Sequence, residues 1–526
     1  MFTVFRRPMA SALAIIMATA VAAPALAQDV TLASADGTVN LTGQFRGIEN
    51  GAYILVTAMG EMRISTDRVS CVGVACPGGE EVKADLVIGG SDTVGLGLMP
   101  LLLEGYSSAA DAAMTVSATG TTDEIIAEMI GEQGFGEPMP SILVNSRTSS
   151  SGFQDLLANQ IEISMASRRI RPEEARALRE AGSGNMISPA QEHVIAADSL
   201  VLITHPDLPV SSLTIEEVAG IYTGRTTNWQ ELGGPDLPIT VIDRPAGSGT
   251  RAVFEGRILR DAGGVDFDGK VIADTNTDAS RMVSETQGAI TYVGFAFQRG
   301  LPALTLVNEC GIATTADAFS AKTEEYPLQR RLYMYSREDT LSEAGTAFLD
   351  YATSAEADTV IQKAGFTGFA VVRRDQTMDS PRARALLNAE VDAYEGGFMR
   401  EMLGQMVDFD RLSSTFRFRT GSTQLDERGV IDLERLISFL QTQPQGTEVM
   451  LVGFTDDVGE FESNLSLSEQ RALQVAEQVR NAAAERLPNI QLTTRGYGEI
   501  APTACNSAEE GRNINRRVEV WIKNPS

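Results

Sequence analysis

The sequence predicts a multidomain α/β protein that opens with a small β module, and three observations carry the prediction. The chain has 526 residues, 43% of them hydrophobic, enough to bury several cores and, at ordinary domain sizes, to build roughly three or four domains. From Gln28 to about Gly79, stretches such as Val-Asn-Leu-Thr-Gly, Gly-Ala-Tyr-Ile-Leu-Val-Thr and Glu-Met-Arg-Ile-Ser-Thr alternate apolar and polar residues between glycine-containing turns. That is the pattern of short antiparallel strands joined by hairpins. From about Val82 to Arg374, apolar strands such as Ala-Asp-Leu-Val-Ile-Gly-Gly, Leu-Val-Leu-Ile-Thr and Ile-Thr-Val-Ile-Asp alternate with helical segments, which argues for α/β units with parallel strands.

The first element in chain order is an export leader over residues 1–27. Arg6 and Arg7 form its charged region, Ala10 to Ala23 its apolar region, and Ala25-Leu26-Ala27 a small-residue cleavage site. The mature chain is expected to begin at Gln28, and since no Cys follows the apolar run, a lipid anchor is not expected. Val94 to Leu103, interrupted by two Gly and a Pro, falls short of the roughly 18 apolar residues that cross a bilayer. Export makes disulfides reasonable. Cys71 and Cys76 share a Val-Ser-Cys-Val-Gly-Val-Ala-Cys-Pro loop and are expected to pair, because two Cys without nearby His do not complete a zinc site. No metal and no cofactor is expected. Cys310 and Cys505 each stand alone in their segments. Pairing across domains, pairing between chains and free thiols are all open, and the working expectation is that they do not pair.

Three turns in the α/β region share one chemistry. Gly90-Ser91-Asp92-Thr93-Val94 follows a strand and precedes an apolar helix; Ser149-Ser150-Ser151-Gly152 opens a helix and is followed by a strand ending in Ala166-Ser167-Arg168; Arg244-Pro-Ala-Gly-Ser248-Gly249-Thr250-Arg251 follows Ile-Thr-Val-Ile-Asp and opens a helix. Each combines small hydroxyl side chains with backbone amides at a helix start, which is how an anion is held without a large cationic patch. In α/β sheets such turns meet beyond the carboxyl ends of strands. A formal net charge of −27 disfavours nucleic acid and anionic membrane surfaces as partners, so any anion site has to be built locally.

Here the chain resembles the periplasmic phosphate-binding proteins of ABC transporters. The resemblance covers most of Val82 to Arg374 and includes Leu-Thr-Ile-Glu-Glu-Val-Ala-Gly-Ile-Tyr-Thr-Gly224-Arg-Thr-Thr-Asn228-Trp229 and Gln287-Gly-Ala-Ile-Thr-Tyr-Val293. It implies a two-lobed periplasmic-binding-protein fold with inorganic phosphate or a related oxyanion as ligand and an ABC permease as a partner. It also implies that Arg244, Ser248, Gly249 and Thr250 clamp the anion, that Thr93 and Val94, with Ser91 and Asp92 beside them, supply the first-loop contacts, and that Ser149 or Ser150, with Ser167, supply the second. One position departs from the pattern. Many members carry an Asp after the Ser matched by Ser167, where it accepts the proton of hydrogen phosphate; this chain has Arg168, which puts selectivity over sulfate in doubt. Asp92 is either the replacement acceptor or a helix N-cap.

Residues Asp375 to Asp410 carry Ser380-Pro381 and then Ala383, Leu386, Leu387, Val391, Met399, Met402 and Met406 at helical spacing, expected as a helix or helix pair docking between domains. Beyond it, Gly453-Phe-Thr-Asp-Asp-Val-Gly459, Asn464, Leu-Ser-Leu-Ser-Glu-Gln-Arg471-Ala and Asn515-Arg516-Arg517-Val-Glu519 resemble the OmpA-like peptidoglycan-binding domain, over roughly Ser413 to Lys523. The resemblance implies an α+β domain whose ligand is the diaminopimelate end of a cell-wall stem peptide. That ligand presents an ammonium and a carboxylate on one carbon, so Asp456 and Arg471 supply opposite charges, Arg because its planar fork grips a carboxylate with two bonds. The helix is expected to start near Ser466 or Ser468, both good N-caps, with Asn464 fixing the loop. Of Arg516 and Arg517, one is expected to support the site and the other to be solvated. Together with the leader, this domain implies a periplasmic protein associated with peptidoglycan and the outer membrane.

An enzyme reading rests on Ser248 at a strand-to-helix turn, but a nucleophile elbow needs Gly-x-Ser-x-Gly, and Ala246 and Thr250 stand where the glycines belong. The two histidines, His193 and His205, are expected to be structural, so no catalytic residue is assigned. A wall-anchored structural or signalling protein with another ligand is the remaining alternative. The expected division is a leader at 1–27, a stapled β module at 28–80, an anion-binding domain at 81–374, a helical connector at 375–410 and a peptidoglycan-binding domain at 411–526.

Overall fold

A computed structural model describes residues 29–34, 40–49, 52–57, 60–66, 68–72, 76, 83–119, 121, 123–260, 269–389, 392–418, 427–483, 485–488 and 490–524. The expected leader lies outside them. The chain forms two compact units, one within residues 1–82 together with 119–122, the other within 83–118 and 123–526.

The first unit is the expected β module. Its five strands are antiparallel in the order Gly60–Ser65, Ala52–Thr57, Asn40–Glu49, Asp29–Ala33, Ser70–Val72. The period-2 pattern buries Val30, Leu32 and Leu55 on one face with Val69 and Cys76. Cys71 and Cys76 are disulfide-bonded.

The second unit holds a ten-stranded sheet. In order its strands are Val271–Ile272, Thr240–Asp243, Ala289–Gly294, Glu192–Thr204, Gln329–Ser336, Ile163–Ala166, Leu86–Ser91, Pro138–Arg147, Glu124–Ile130 and Ala113–Ala118. The strands that lead into the three turns are parallel to their neighbours, as expected: Leu86–Ser91 runs parallel to Ile163–Ala166 and Pro138–Arg147, and Thr240–Asp243 to Ala289–Gly294. The sheet as a whole is mixed, however. Glu192–Thr204 pairs antiparallel with Gln329–Ser336 through Glu192 to Ser199 and with Ala289–Gly294 through Leu200 to Thr204. One long strand thus serves both halves, antiparallel to its partner in each. The two segments quoted for the family resemblance meet in the second lobe, where fully buried Trp229 donates from Nε1 to the Gly288 carbonyl at 2.9 Å.

The C-terminal part of the unit is α+β. Its sheet has the order Arg373–Arg374, Phe409–Arg417, Arg517–Lys523, Glu448–Gly453, Gln491–Gly496, and strand alternation divides two cores. Val449 and Leu451 face the helices Glu427–Gln441 and Phe461–Ala483, whereas Met450, Val452 and Trp521 face the helices Pro381–Asn388 and Glu395–Asp408. The expected connector is therefore a helix pair, but its Ala383, Leu386, Met399, Met402 and Met406 pack on the C-terminal sheet itself and not between domains. Leu387 is 60% exposed, because it falls off the stripe that Ala383 and Leu386 define. Val391 lies outside the described residues.

Cys310 and Cys505 correct the expectation that they stay unpaired. They are joined, because the hairpin that follows strand Thr305–Val307 and the loop after Ile500 come together in the fold, a proximity that isolated positions in sequence do not reveal. Mass spectrometry of unreduced digests is expected to find Cys71–Cys76 and Cys310–Cys505 linked peptides and no free thiol at these positions.

Candidate functional site

The three turns meet. Arg244, at the end of strand Thr240–Asp243, is fully buried and donates from Nη2 to Asp92 Oδ2 at 2.9 Å and from Nε to the Ala273 carbonyl at 3.0 Å. Thr93 and Thr250 oppose each other at 3.2 Å between their hydroxyl oxygens. Ser149 Oγ accepts from the Ser167 amide at 3.0 Å, and the Ser150 amide donates to the Gly247 carbonyl at 3.2 Å. Residues 92, 93, 149, 150 and 167 belong to the lobe of strand Leu86–Ser91, and 244, 247 and 250 to the lobe of Thr240–Asp243, so the Arg244–Asp92, Thr93–Thr250 and Ser150–Gly247 contacts close one lobe on the other. Gly249 shows how close the approach is. A Cβ there would stand 2.3 Å from Ser149 Oγ and 2.4 Å from Ser167 Oγ, so only glycine lets the turns touch.

Three participants were not legible as motifs. Asn276 opens the helix Asn276–Glu285 and donates from its amide (3.0 Å) and Nδ2 (2.8 Å) to Asp92 Oδ2, and from Nδ2 to Thr93 Oγ1 (2.9 Å). Arg330 lies on a crossing strand, donating from Nη1 to Thr250 Oγ1 at 2.7 Å and forming a buried ion pair with Asp198 at 2.7 Å. A fourth turn, Asp274-Thr275-Asn276, resembles the other three in composition and was the available signal; Arg330 and Asp198 lie inside apolar strands and carried none.

Asp92 is not an N-cap. Ser91 holds that position, without a side-chain cap bond, and all three of the bonds above to the Asp92 carboxylate go to Oδ2. Val94 is wholly buried in the hydrophobic core below the turn. Ser248 caps the helix Gly249–Phe254, accepting from the Arg251 amide at 3.3 Å; His193 stands beside Ser336 and His205 accepts from the Asp207 amide, so neither histidine is bonded to the Ser248 hydroxyl. Arg168 reaches the second turn only at Ser150, and its charge is met by Glu174. It forks onto Glu174 (2.8 and 2.6 Å), donates to Ser150 Oγ at 3.0 Å and lies over the Phe153 ring. Two pairs of opposite charge, Arg244–Asp92 and Arg330–Asp198, leave the centre formally neutral. Within it, Arg244 Nη1 and Ser91 Oγ are buried without a hydrogen-bond partner among the described residues.

The C-terminal site differs in detail from expectation. The helix runs Phe461–Ala483, starting before Ser466 and Ser468, which are interior to it; Ser468 Oγ donates to the Leu465 carbonyl and accepts from the Gly498 amide. Asn464 is in the first turn and donates from Nδ2 to the Asp456 carbonyl at 3.4 Å. Arg516 donates to Asp456 Oδ2 at 2.5 Å and also meets Glu509 at 2.6 Å. Arg471 is 3% exposed, with Nε and Nη1 lacking hydrogen-bond partners among the described residues; burial lowers its pKa and the nearby Asp456 works against that shift. Neither arginine of the pair is solvated. Arg517 is fully buried, bonded to Glu519 (2.8 Å) and to the Ala501 carbonyl (2.9 Å), with its guanidinium over the Phe454 ring. It belongs to the core, not to a ligand.

Two lobes sharing crossing strands and closing a buried polar centre define a solute-binding protein. A family model described as PBP superfamily domain matches residues 78–356, more than half of the chain, which belongs to that family; residues 417–516 match the OmpA family. The phosphate-binding protein PstS of Borreliella burgdorferi is 26% identical over 266 residues, 48% of this chain and 89% of that protein. PstS of Bacillus subtilis is 30% identical over 165 residues, 31% of this chain and 53% of that one, so the chain spans about half the length of that relative. Among solved structures, a putative phosphate ABC transporter substrate-binding protein with bound phosphate from Clostridium perfringens is similar at 27% identity and a TM-score of 0.42, covering 54% of this chain and 98% of that one. The periplasmic domain of Helicobacter pylori MotB is similar at 25% identity and a TM-score of 0.20, covering 23% and 76%. The relatives named PstS are phosphate-binding proteins. Among the described residues no helix is long and apolar enough to cross a membrane.

The two buried arginines of the C-terminal domain should separate in thermal unfolding. Arg517→Ala leaves Glu519 buried with one partner fewer and is expected to cost about 3–5 kcal/mol. Arg471→Ala removes donors that lack partners, so its melting temperature is expected to stay at or above that of the wild type.

Proposed function

We propose that the chain binds a tetrahedral oxyanion, inorganic phosphate first, between the two lobes of an 81–374 domain, and holds peptidoglycan through a 411–526 domain joined by the 375–410 helices. The leader at 1–27 would deliver it to the periplasm, with the 28–80 module as its mature start. The observation that carries the anion reading is Arg244: a fully buried guanidinium with Nη1 unpartnered costs free energy that an anion's oxygen would recover. The small hydroxyls of Ser91, Thr93, Ser149, Ser167 and Thr250 and the Gly249 turn surround it with neutral donors. Arg168 is committed to Glu174, and the further charges beside Arg244 pair with one another: Asp243, which accepts from the Arg244 amide, meets Arg251 and Lys270. Asp92 is then the acceptor for the proton of hydrogen phosphate, and proton-free sulfate would be repelled there. Ser150 and Ser248 support the turns, and Arg168 holds Ser150. The relatives named PstS support phosphate over other oxyanions.

At the wall site, the unpartnered Nε and Nη1 of Arg471 suit the carboxylate of a diaminopimelate end, and Asp456, with Asn464 and Arg516 holding its loop, suits the ammonium. An ABC permease is the proposed receiver of the anion.

Calorimetry on phosphate-stripped protein is expected to show phosphate binding that Arg244→Ala weakens by about 1.5–3 kcal/mol for each charge-assisted bond lost, and Asp92→Asn is expected to erase the preference over sulfate. No heat with phosphate, sulfate or arsenate would sink the reading. For the wall, Asp456→Ala and Arg471→Ala are each expected to abolish co-sedimentation with purified peptidoglycan, since either change leaves one ligand charge unpaired; a double variant that still sediments would place the tether elsewhere.

A further inference from the structure

Residues 366–372, which lead from the first lobe's helix Ala355–Lys363 into the strand Arg373–Arg374 of the C-terminal sheet, touch both lobes as well and are held from three sides. From the first lobe, Asp358 on the helix Ala355–Lys363 accepts from the amides of Phe369 and Ala370. From the second, Lys322 donates to the Ala370 carbonyl. From the C-terminal domain, the Arg435 guanidinium lies 4.0 Å from the centre of the Phe369 ring, and Ser413 exchanges two bonds with Val372, amide to carbonyl at 2.8 Å and amide to Oγ at 2.9 Å. The wall-binding domain therefore sits on the hinge.

It is also bolted to one lobe. Cys310 and Cys505 link it covalently to the second lobe, and Arg411 forks onto Glu325 in a buried pair while also meeting Glu519 of its own sheet at 3.1 Å. Towards the first lobe it leaves space. A cavity of about 920 Å³ is lined by His193 and Thr353 of the first lobe, by Lys322 and Glu324 of the second, and by Asp432 and Arg435 of the C-terminal domain. Opening the lobes moves the first, with Asp358, relative to the second and to the C-terminal domain bolted to it, so segment 366–372 is pulled between Asp358 on one side and Lys322, Arg435 and Ser413 on the other, and opening has to break contacts to one of the two. All of these contacts coexist with the closed polar centre.

From this we propose that the C-terminal domain acts as a brace on the hinge, favouring the closed lobes and so raising anion affinity and slowing release. The affinity arm rests on the anion-binding reading above; the brace itself does not. A two-state binding protein whose closed form is favoured in advance gives up less of its ligand's binding free energy to closure.

Small-angle scattering on anion-stripped full-length protein tests the brace without a ligand. Phe369→Ala, Arg435→Ala and the Cys310→Ser/Cys505→Ser pair are expected to increase the radius of gyration, while Phe369→Tyr, which keeps the ring, matches the wild type. With inorganic phosphate, the same three variants are expected to bind at least about fivefold more weakly, in the usual range of coupling between sites, with faster release in stopped flow and Phe369→Tyr again unchanged. Equal radii across the set, or phosphate affinities all within twofold of a wild type that binds, overturn the brace. Absence of phosphate binding in every form, with the difference in radius intact, counts against the phosphate assignment and leaves the brace supported.

Discussion

A guanidinium taken out of water must be met by acceptors or its burial is repaid in lost stability, and this chain buries arginines at each place that matters. Each nitrogen of Arg517 has an acceptor, in Glu519 and in the Asn515 and Ala501 carbonyls. Glu519, itself fully buried, is reached by Arg517, by Arg382 from the helix pair at 2.9 Å, by Arg411 at 3.1 Å and by Trp521 Nε1 at 2.8 Å. Burial alone would raise the Glu519 pKa, but the three guanidiniums overcome it and hold the carboxyl well below its ordinary range. That hub ties the helix pair to the sheet and, through Arg411 and Glu325, the sheet to the second lobe.

Arg244 and Arg471 each keep an Nη1 without a hydrogen-bond partner among the described residues; Nε of Arg168 and Arg411 and both Nε and Nη2 of Arg382 are also left over. The contrast with Arg168 is instructive, since it too is 6% exposed but spends its fork on Glu174. The same residue type is committed in one place and available in another, and the difference lies in whether a carboxylate shares its pocket. The strongly acidic composition sharpens this, because surplus carboxylates are present throughout and a site for an anion has to keep them out or balance them one for one, as Asp92 and Asp198 are balanced by Arg244 and Arg330.

Much of the fold could be read from local pattern. Period-2 alternation located the β module, strand-turn-helix punctuation located the three turns, and the loop holding Cys71 and Cys76 brought two thiols within reach of each other. The failures were equally specific. Asn276 and Arg330 join the centre from elements more than 180 and 230 residues away from Thr93, Cys310 meets Cys505 across 195 residues, and the start of the helix Phe461–Ala483 escaped because Ser466 and Ser468 have the composition of caps while a tertiary contact, Gly498 on Ser468, employs one of them inside the helix.

The sequence by itself determined which segments form strands, turns and helices, the chemistry of the three turns, and the family to which each half is similar, because these depend on residues near one another along the chain. Tertiary structure alone decided that Arg517 is core while Arg516 meets Asp456, that Arg168 is neutralised, that Asp92 serves Arg244 and not a helix end, and that Arg435 and Ser413 meet Phe369 and Val372. The physical reason is common to all four. The state of a charged side chain is set by which opposite charge shares its low-dielectric surroundings, and that partner is chosen by packing between distant segments.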